Sequence, residues 1–472
     1  MKLLRFSLCL LTLTAISPLR AQNEETKYLA DSLPQRWEYY PSADGQIISL
    51  EDNWWANFND EMLDSLVSMG LKANYDLRNA VNNINIALNT YKSDRSAYAP
   101  TLSAQAGWEK ERISGRMYGN GSVTNHSYWN GQLGISWQVD LFGKVRDQIK
   151  SSKSLWQASQ AEWAGTMLSV VSQIATEYVD LRVAQSELLL MQQHAESQLE
   201  IVGMAIARQE AGVGSMLDVA QAKTVYYSTL SNIPVYENTI TNCLNSLAVL
   251  CGVMPEKLPA EIRQFPKRLP QYEQLIQTGI PMDLLRRRPD IIEAEKQIAS
   301  YAALLGVAKK DFLPILTLEG SISTAASDMR DLFSRPSMGY SIAPTLSWNF
   351  DLGGAQTYNV RIAKDDLENG INSYNLTVLT AIEETNNAIS SYYTSMKHIK
   401  MIEDVLIWAQ KSLDMSIELY RSGLAAFTNV ADAQETVLEY ETELVEAQSD
   451  ALTSLIQIYV ALGGGWETSY IK

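Results

Sequence analysis

Two hydrophobic periods run along the chain, and each predicts a different element. Towards the C-terminus, Val430, Ala433, Val437, Tyr440, Leu444, Ala447 and Ala451 step alternately by three and four. That seven-residue repeat is the seam of a coiled coil, and its alanines let helices approach closely. From Gln132 to Leu141 the period is two. Leu133, Ile135, Trp137, Val139 and Leu141 point one way, against Gln132, Gly134, Ser136, Gln138 and Asp140. The alternation returns as Ile342, Pro344, Leu346, Trp348, Phe350 and Leu352 against Ser341, Ala343, Thr345, Ser347, Asn349 and Asp351. Weaker partner strands hold Leu102, Ala104, Ala106 and Trp108 in one case, and Leu316, Leu318 and Ile322 in the other. Strands are predicted at about 101–109, 128–141, 315–323 and 340–352, joined in pairs by polar or Gly-rich loops at 109–127 and 323–339. Pro344 sits awkwardly in a strand, because it donates nothing to a ladder.

The same order occurs twice. Ser136 to Gly143 returns as Ser347 to Gly354, 211 positions later, and Val219-Ala220-Gln221-Ala222 returns as Val430-Ala431-Asp432-Ala433 at the same offset. Tyr98-Ala99-Pro100-Thr101-Leu102 returns as Phe312-Leu313-Pro314-Ile315-Leu316. This period is too long for a solenoid and predicts a duplicated half-molecule. Each half reads as a helix, two strands and a long helical hairpin. Residues 60–97 carry a helical pattern that Pro100 ends, and no Pro interrupts Lys144–Arg208, Ala355–Arg421 or Phe427–Leu462. As one helix, Lys144–Arg208 would span about 98 Å. The predicted layout is a signal peptide at 1–21, an N-terminal segment at 22–58 and a first repeat at 59–252 with its hairpin at about 144–252. A linker at 253–282 follows, broken by Pro255, Pro259, Pro266, Pro270 and Pro281. The second repeat is 283–466, with its hairpin at about 355–462, and 467–472 is a tail.

Charge and composition then narrow the function. Lys2 and Arg5 precede an apolar run from Phe6 to Ile16, and Ala21 offers a cleavage site, the pattern of an export signal. Cys9 lies too early for lipid attachment. Loss of that signal removes three basic residues and takes the net charge from −16 to −19. So acidic a chain argues against nucleic acid, which needs a basic footprint. With three His and three Cys, a metal centre or Cys/His catalysis is hard to assemble, and no cofactor is implied. Cys243 and Cys251 lie about 12 Å apart on one helix and cannot bridge each other. No later stretch is apolar and long enough for a transmembrane helix. An exported chain of this kind is either soluble outside the cytoplasm or a β-barrel.

The strands bear on that choice. Ten residues suffice to cross a bilayer as a tilted strand. A soluble sheet with one wet face would alternate in the same way. It would not account for large aromatics near the strand ends, Trp108, Trp129, Trp137 and Trp348, which suit a membrane interface. Four strands cannot close a membrane barrel, and an open edge is forbidden in lipid. Spanning strands therefore require several chains. Two chains give eight strands and a filled interior, so a conduit favours three chains and twelve strands.

These residues resemble the outer membrane efflux protein family, the TolC-like channels of tripartite pumps and type I secretion systems. The likeness covers nearly all of the mature chain. Its most specific piece is Leu285-Arg286-Arg287-Arg288-Pro289-Asp290-Ile291, followed by Ala294-Glu295, Gly306-Val307-Ala308-Lys309 and Phe312-Leu313-Pro314. That run is similar to the subgroup serving resistance–nodulation–division (RND) pumps. Trp54-Trp55-Ala56-Asn57-Phe58 and the ending Ala461-Leu462-Gly463-Gly464-Gly465-Trp466 support it. The resemblance implies a homotrimer, a twelve-stranded transmembrane β-barrel continuous with a long periplasmic α-helical coiled-coil barrel. It implies a periplasmic adaptor, an inner-membrane RND transporter and outer membrane lipid as partners. The chain departs from many subgroup members in lacking a lipid-attachment Cys. Read physically, Pro289 suits the first turn of a helix and Asp290 its dipole, which gives Arg287, Arg288, Pro289 and Asp290 a structural role. Contact with a neighbouring chain is the other reading of that run.

A conduit needs a shut state, an opening and a docking surface. Ala211-Gly212-Val213-Gly214-Ser215 and Ser422-Gly423-Leu424-Ala425-Ala426 form the hairpin tips, where Gly permits reversal. The resemblance implies adaptor contact at Gly212, Val213, Gly214, Gly423, Leu424 and Ala425. Asp218, Asn429 and Asp432 lie just past the tips. Repeated around a three-fold axis, an Asp there would favour cations, and the resemblance implies a constricted aperture. Asn429 stands where the family often has an acid, and Ala425 where some members have a basic gate residue, so the acidic ring and a salt-bridged lock are both weaker expectations here. A solvated helix start favouring Asp is the plain alternative. HExxH, GxSxG and P-loop motifs are missing, and Glu383-Glu384 are adjacent on a helix, facing apart. The reading is a passive exit duct in the outer membrane, not an enzyme. A type I secretion channel and a soluble periplasmic coiled-coil scaffold are the alternatives.

Overall fold

The computed structural model describes residues 53–113, 124–264, 269–270 and 286–466. The expected signal at 1–21, most of the N-terminal segment, the loop with Gly119-Asn120-Gly121, most of the linker, Leu285 and the tail at 467–472 lie outside the described residues.

The first helical region is two helices, α1 (Glu61–Ala73) and α2 (Tyr75–Arg95), where the periodicity predicts one. Asn74 divides them. Its Oδ1 accepts from the backbone N–H of Asp76 (2.8 Å) and Leu77 (3.1 Å), capping α2. Its amide donates to the Leu250 carbonyl (2.9 Å), 176 positions away. Asp60 caps α1 through Met62 and Leu63.

Strands β1 (Thr101–Ile113) and β2 (Thr124–Val139) follow, then the hairpin of α3 (Lys144–Glu210) and α4 (Met216–Leu250). After the linker come α5 (Pro289–Lys310), β3 (Ile315–Ala326) and β4 (Met338–Ser347). The second hairpin is α6 (Ala355–Arg421) and α7 (Phe427–Ala461). Both α3 and α6 have 67 residues, about 100 Å at about 1.5 Å each. Both α4 and α7 have 35, and α4 continues through Pro234.

Burial explains why these helices persist at such length. Tyr178, Ile174, Leu181, Leu247, Leu455 and Tyr459 are enclosed with Trp54, Phe58, Leu63 and Leu66 in one core. Trp54 stacks on Tyr459 with centroids 5.2 Å apart. A second core near the tips holds Val202, Ala205, Val219, Tyr420, Phe427, Val430, Ala433 and Val437. Of the predicted seam, Val430, Ala433, Val437, Ala447 and Ala451 are buried, while Tyr440 and Leu444 are half-buried.

The four strands form one antiparallel sheet in sequence order. Its register puts the apolar positions on a single face. Leu102 pairs Ile135, which pairs Gly320, which pairs Ile342, and the next row is Ala104, Leu133, Ile322 and Tyr340. The opposite face carries rows such as Ser103–Gly134–Ser321–Ser341 and Gln105–Gln132–Ser323. Pro344, opposite Leu318, lies on the outermost strand, where a missing donor is tolerated.

Two strand ends differ from expectation. β2 stops at Val139 rather than 141, and β4 at Ser347 rather than 352. In each case an aspartate turns the chain into a helix. Asp140 accepts from Val145 (3.2 Å) and Arg146 (2.9 Å) N–H groups, and Asp351 from Gly353 (2.9 Å) and Gln356 (3.2 Å). The alternation through Trp348, Phe350 and Leu352 therefore belongs to a connection. β1 and β2 also extend further into the predicted loop, pairing to Ile113 and Thr124.

Candidate gate at the hairpin tips

Each tip is the five-residue connection the sequence predicts, 211–215 and 422–426. Gly212 and Gly423 take φ of +73° and +76°, and the chain folds back through bonds from Val213 N–H to the Arg208 carbonyl and Leu424 N–H to the Leu419 carbonyl. The reversal leaves apolar side chains in the open: Val213 is 65% and Leu424 78% exposed, with Met216 and Leu217 beside them.

Two residues that pattern reading passed over hold the tips together. Arg208, near the end of α3, donates through Nη1 to the Arg421 carbonyl of the other hairpin (2.9 Å) and through Nη2 to the Val213 carbonyl (3.3 Å). Its guanidinium lies 4.9 Å from the centroid of the Tyr420 ring. The buried Tyr420 in turn donates its hydroxyl to Asp218 Oδ2 (3.3 Å). Burial and the Asp218 charge push the Tyr420 phenol up, so it stays a donor. One cluster thus joins α3, α4 and α6. The only sequence signal for Arg208 and Tyr420 is their place next to a Gly turn.

The predicted aperture residues separate. Asp218 is engaged with Tyr420, whereas Asn429 and Asp432 are exposed on the opening turns of α7. Asn429 occupies the position in the second hairpin that Asp218 occupies in the first, 211 residues on.

The Arg-Pro-Asp run lies elsewhere, at the start of α5. Pro289 is its first residue, and the Asp290 Oδ1 accepts from Ile291 N–H (2.9 Å). Arg288 is 8% exposed and reaches three ways. It donates to Asp290, to Glu384 Oε2 on α6 (2.7 Å) and to the Ala461 carbonyl ending α7 (2.9 Å). Arg287 gives its carbonyl to the Trp466 indole N–H (3.2 Å). The run clamps α5 to the end of the second hairpin. It also gives Glu384, half of the adjacent acid pair, a structural partner.

Three of the four aromatics lie on the apolar sheet face: Trp108 pairs Trp129 across β1 and β2, and Trp137 pairs Leu318. Trp348 is the exception. It sits past β4, its indole N–H donates to the Phe312 carbonyl (2.9 Å), and its ring packs at 4.6 Å on Phe350.

A sequence profile described as outer membrane efflux protein matches residues 66–253 and 280–464. The chain is 27% identical over 441 residues to the probable efflux pump outer membrane protein TtgC of Pseudomonas putida, covering 93% of this chain and 90% of that one. It is 28% identical over 415 residues to the solvent efflux pump outer membrane protein SrpC of the same organism, covering 87% of each. Among solved structures, the outer-membrane channel OprN superposes with a TM-score of 0.83 at 28% identity, over 90% of this chain and 98% of that one. With two long helical hairpins, a four-stranded sheet and a profile match across both halves, the chain belongs to the outer membrane efflux protein family.

Proposed function

We propose that three copies of this chain, each a duplicated half-molecule, join their sheets into a twelve-stranded outer membrane barrel that continues into a periplasmic α-helical barrel. The assembly is the passive exit duct of a tripartite pump. A periplasmic adaptor meets the tips at Gly212, Val213, Gly214, Gly423, Leu424 and Ala425, and an inner-membrane RND transporter supplies the energy.

The observation that carries this reading is the one-sided sheet. Leu102, Tyr340 and Ile342 are 78%, 84% and 81% exposed on its apolar face, an arrangement costly in water and suited to lipid. With order β1-β2-β3-β4, β1 and β4 each leave an edge unpaired. Pairing β4 of one protomer with β1 of the next satisfies both edges and closes a ring. The water-facing sheet of a periplasmic scaffold would leave this apolar face uncovered.

The tip cluster supplies the shut state. While Arg208 and Tyr420 tie the second hairpin to the first, the hairpins cannot splay, and parting them breaks the bonds from Arg208 to Arg421 and from Tyr420 to Asp218. Asp432, exposed nearby, would then line the aperture as a ring of three carboxylates.

The mass of the detergent-extracted mature protein by light scattering, read beside electron-microscopy images, tests the assembly. Three chains in a particle longer than about 100 Å are the expected outcome. A monomer stable without detergent would sink the proposal.

A further inference from the structure

Two joints of the sheet share one register. Thr101 pairs Ser136 across β1 and β2, and Ile315 pairs Ser347 across β3 and β4. Ile315 lies 214 positions after Thr101, and Ser347 lies 211 after Ser136, the offsets at which the sequence itself returns. The remaining joint, β2 with β3, sets Val139 opposite Leu316 and Trp137 opposite Leu318. Its counterpart would pair β4 with a β1, and in one chain those are the two outer edges.

The long helices leave the matching joint open. His194 of α3 meets Glu441 of α7, and Ile201 and Ala205 are enclosed with Val430 and Val437. At the corresponding place on α6, 211 positions on from His194, Val405 is exposed and Trp408 is 69% exposed. Met401, Val405, Trp408, Met415 and Leu419 continue there as an open stripe at seam spacing. The place corresponding to Glu441 is Leu230 of α4, with Tyr227 and Val235 exposed a turn to either side.

We propose that the joint between subunits copies the joint between the chain's own halves: β4 pairs with the next β1 in the register that sets Phe350 opposite Leu102 of the partner subunit, and the open stripe of α6 receives the next α4 with Val405 opposite Leu230 of the partner subunit.

The inference rests on the shared barrel proposed above and adds the register of its closure. Halves of like sequence offer like surfaces, so the fit of the second half onto the first serves again for the next copy, and such head-to-tail contacts close into a ring when the rotation allows. The register keeps each face of the sheet continuous. Trp348 stands opposite Ala104 of the partner subunit and Leu346 opposite Ala106 of the partner subunit, large against small, while Ser347 meets Gln105 of the partner subunit on the polar face. A slip of one residue would set Trp348 against a polar position. The alternation beyond Ser347 also gains a use. Trp348 and Phe350, packed ring on ring in the single chain, become the continuation of β4 along the next β1.

Cysteine pairs in the full mature chain read the register. Ser347→Cys with Gln105→Cys and Ser341→Cys with Glu111→Cys are in register. Ser347→Cys with Ser103→Cys, and Ser347→Cys with Gly107→Cys, are each displaced by two residues, about 7 Å. In one chain β1 and β4 lie about 14 Å apart, too far for a disulfide, so every link joins two chains. The native Cys243 and Cys251 are buried. Mild oxidation should convert both in-register variants into linked trimer on a non-reducing denaturing gel and leave the displaced pairs and every single variant as monomer. For the helices, a short thiol-to-thiol reagent should bridge Val405→Cys with Leu230→Cys, and not Val405→Cys with Glu237→Cys, about 10 Å further along α4. Light scattering of the unoxidised proteins separates this inference from the reading beneath it. Trimeric wild type with stronger linking in a displaced pair, or with no link in either in-register pair, overturns the register and leaves the shared barrel standing. Monomeric wild type overturns both.

Discussion

Arg288 stands immediately before α5 and reaches well beyond it. Its guanidinium satisfies the Ala461 carbonyl at the end of α7 while also binding Asp290 and Glu384, so three separate helices converge on one side chain. These bonds are unequal in strength. The carboxylates are 44% and 49% exposed, where water screens an ion pair to under about 1 kcal/mol. The bond to the carbonyl is buried, and a buried bond from a charged donor contributes about 1.5–3 kcal/mol. Arg288→Met should therefore lower stability by about that amount, and Glu384→Gln by under about 1 kcal/mol. Thermal unfolding of the two purified variants distinguishes them, and equal losses would mean that the ion pair, not the carbonyl bond, carries the clamp. The motif was legible as a helix start, because Pro and Asp have local reasons to stand there. Its long-range partners were not, since nothing near Arg288 in the sequence points to Ala461.

At the scale of elements, the two hairpins are similar in length and differ in chemistry. The first supplies Arg208 and Asp218, and the second supplies Tyr420 and the exposed Asn429 and Asp432. Each substitution at the tips should thus have its own signature. Tyr420→Phe removes the hydroxyl bond to Asp218 and keeps the buried ring, so it should raise the fraction of time a channel spends open in a planar bilayer. Asp432→Ala should leave that fraction unchanged and reduce the preference for cations. If Tyr420→Phe channels stay as firmly shut as wild type, the cluster is packing rather than a latch. The extents of α3, α6 and α7 could be read from absent prolines, and the tips from the glycines at 212 and 423, whereas α4 runs through Pro234. The break at Asn74 could not, because its cap is fixed by a bond to Leu250 in a distant hairpin.

For the whole molecule, the sheet face decides the setting. Leu133 and Gln132 are neighbours near the middle of β2, on opposite faces of the sheet. If that face meets lipid as proposed, Leu133→Arg places a charge in the bilayer, at a cost of about 2–4 kcal/mol near the midplane. Gln132→Arg, on the polar face that the proposed barrel turns inward, should cost far less. Urea titration of folding into lipid vesicles measures both. Equal sensitivity at the two positions would reverse or abolish the assignment of faces.

The sequence by itself determined the element types, the two hairpins with their tips, and the sheet's apolar and polar sides. These follow from periods of two and seven and from where Gly and Pro stand, which are properties of neighbouring residues. Local caps at Asp140 and Asp351, each within six positions of the N–H groups it accepts from, end β2 and β4 and leave Trp348 off the sheet. What lay beyond the sequence was tertiary structure, which alone brought Arg208 to Tyr420 across the hairpins, and the two histidines to α7. Those contacts join residues some 45 to more than 200 positions apart, and a separation of that size leaves no periodic trace in a chain until packing closes it.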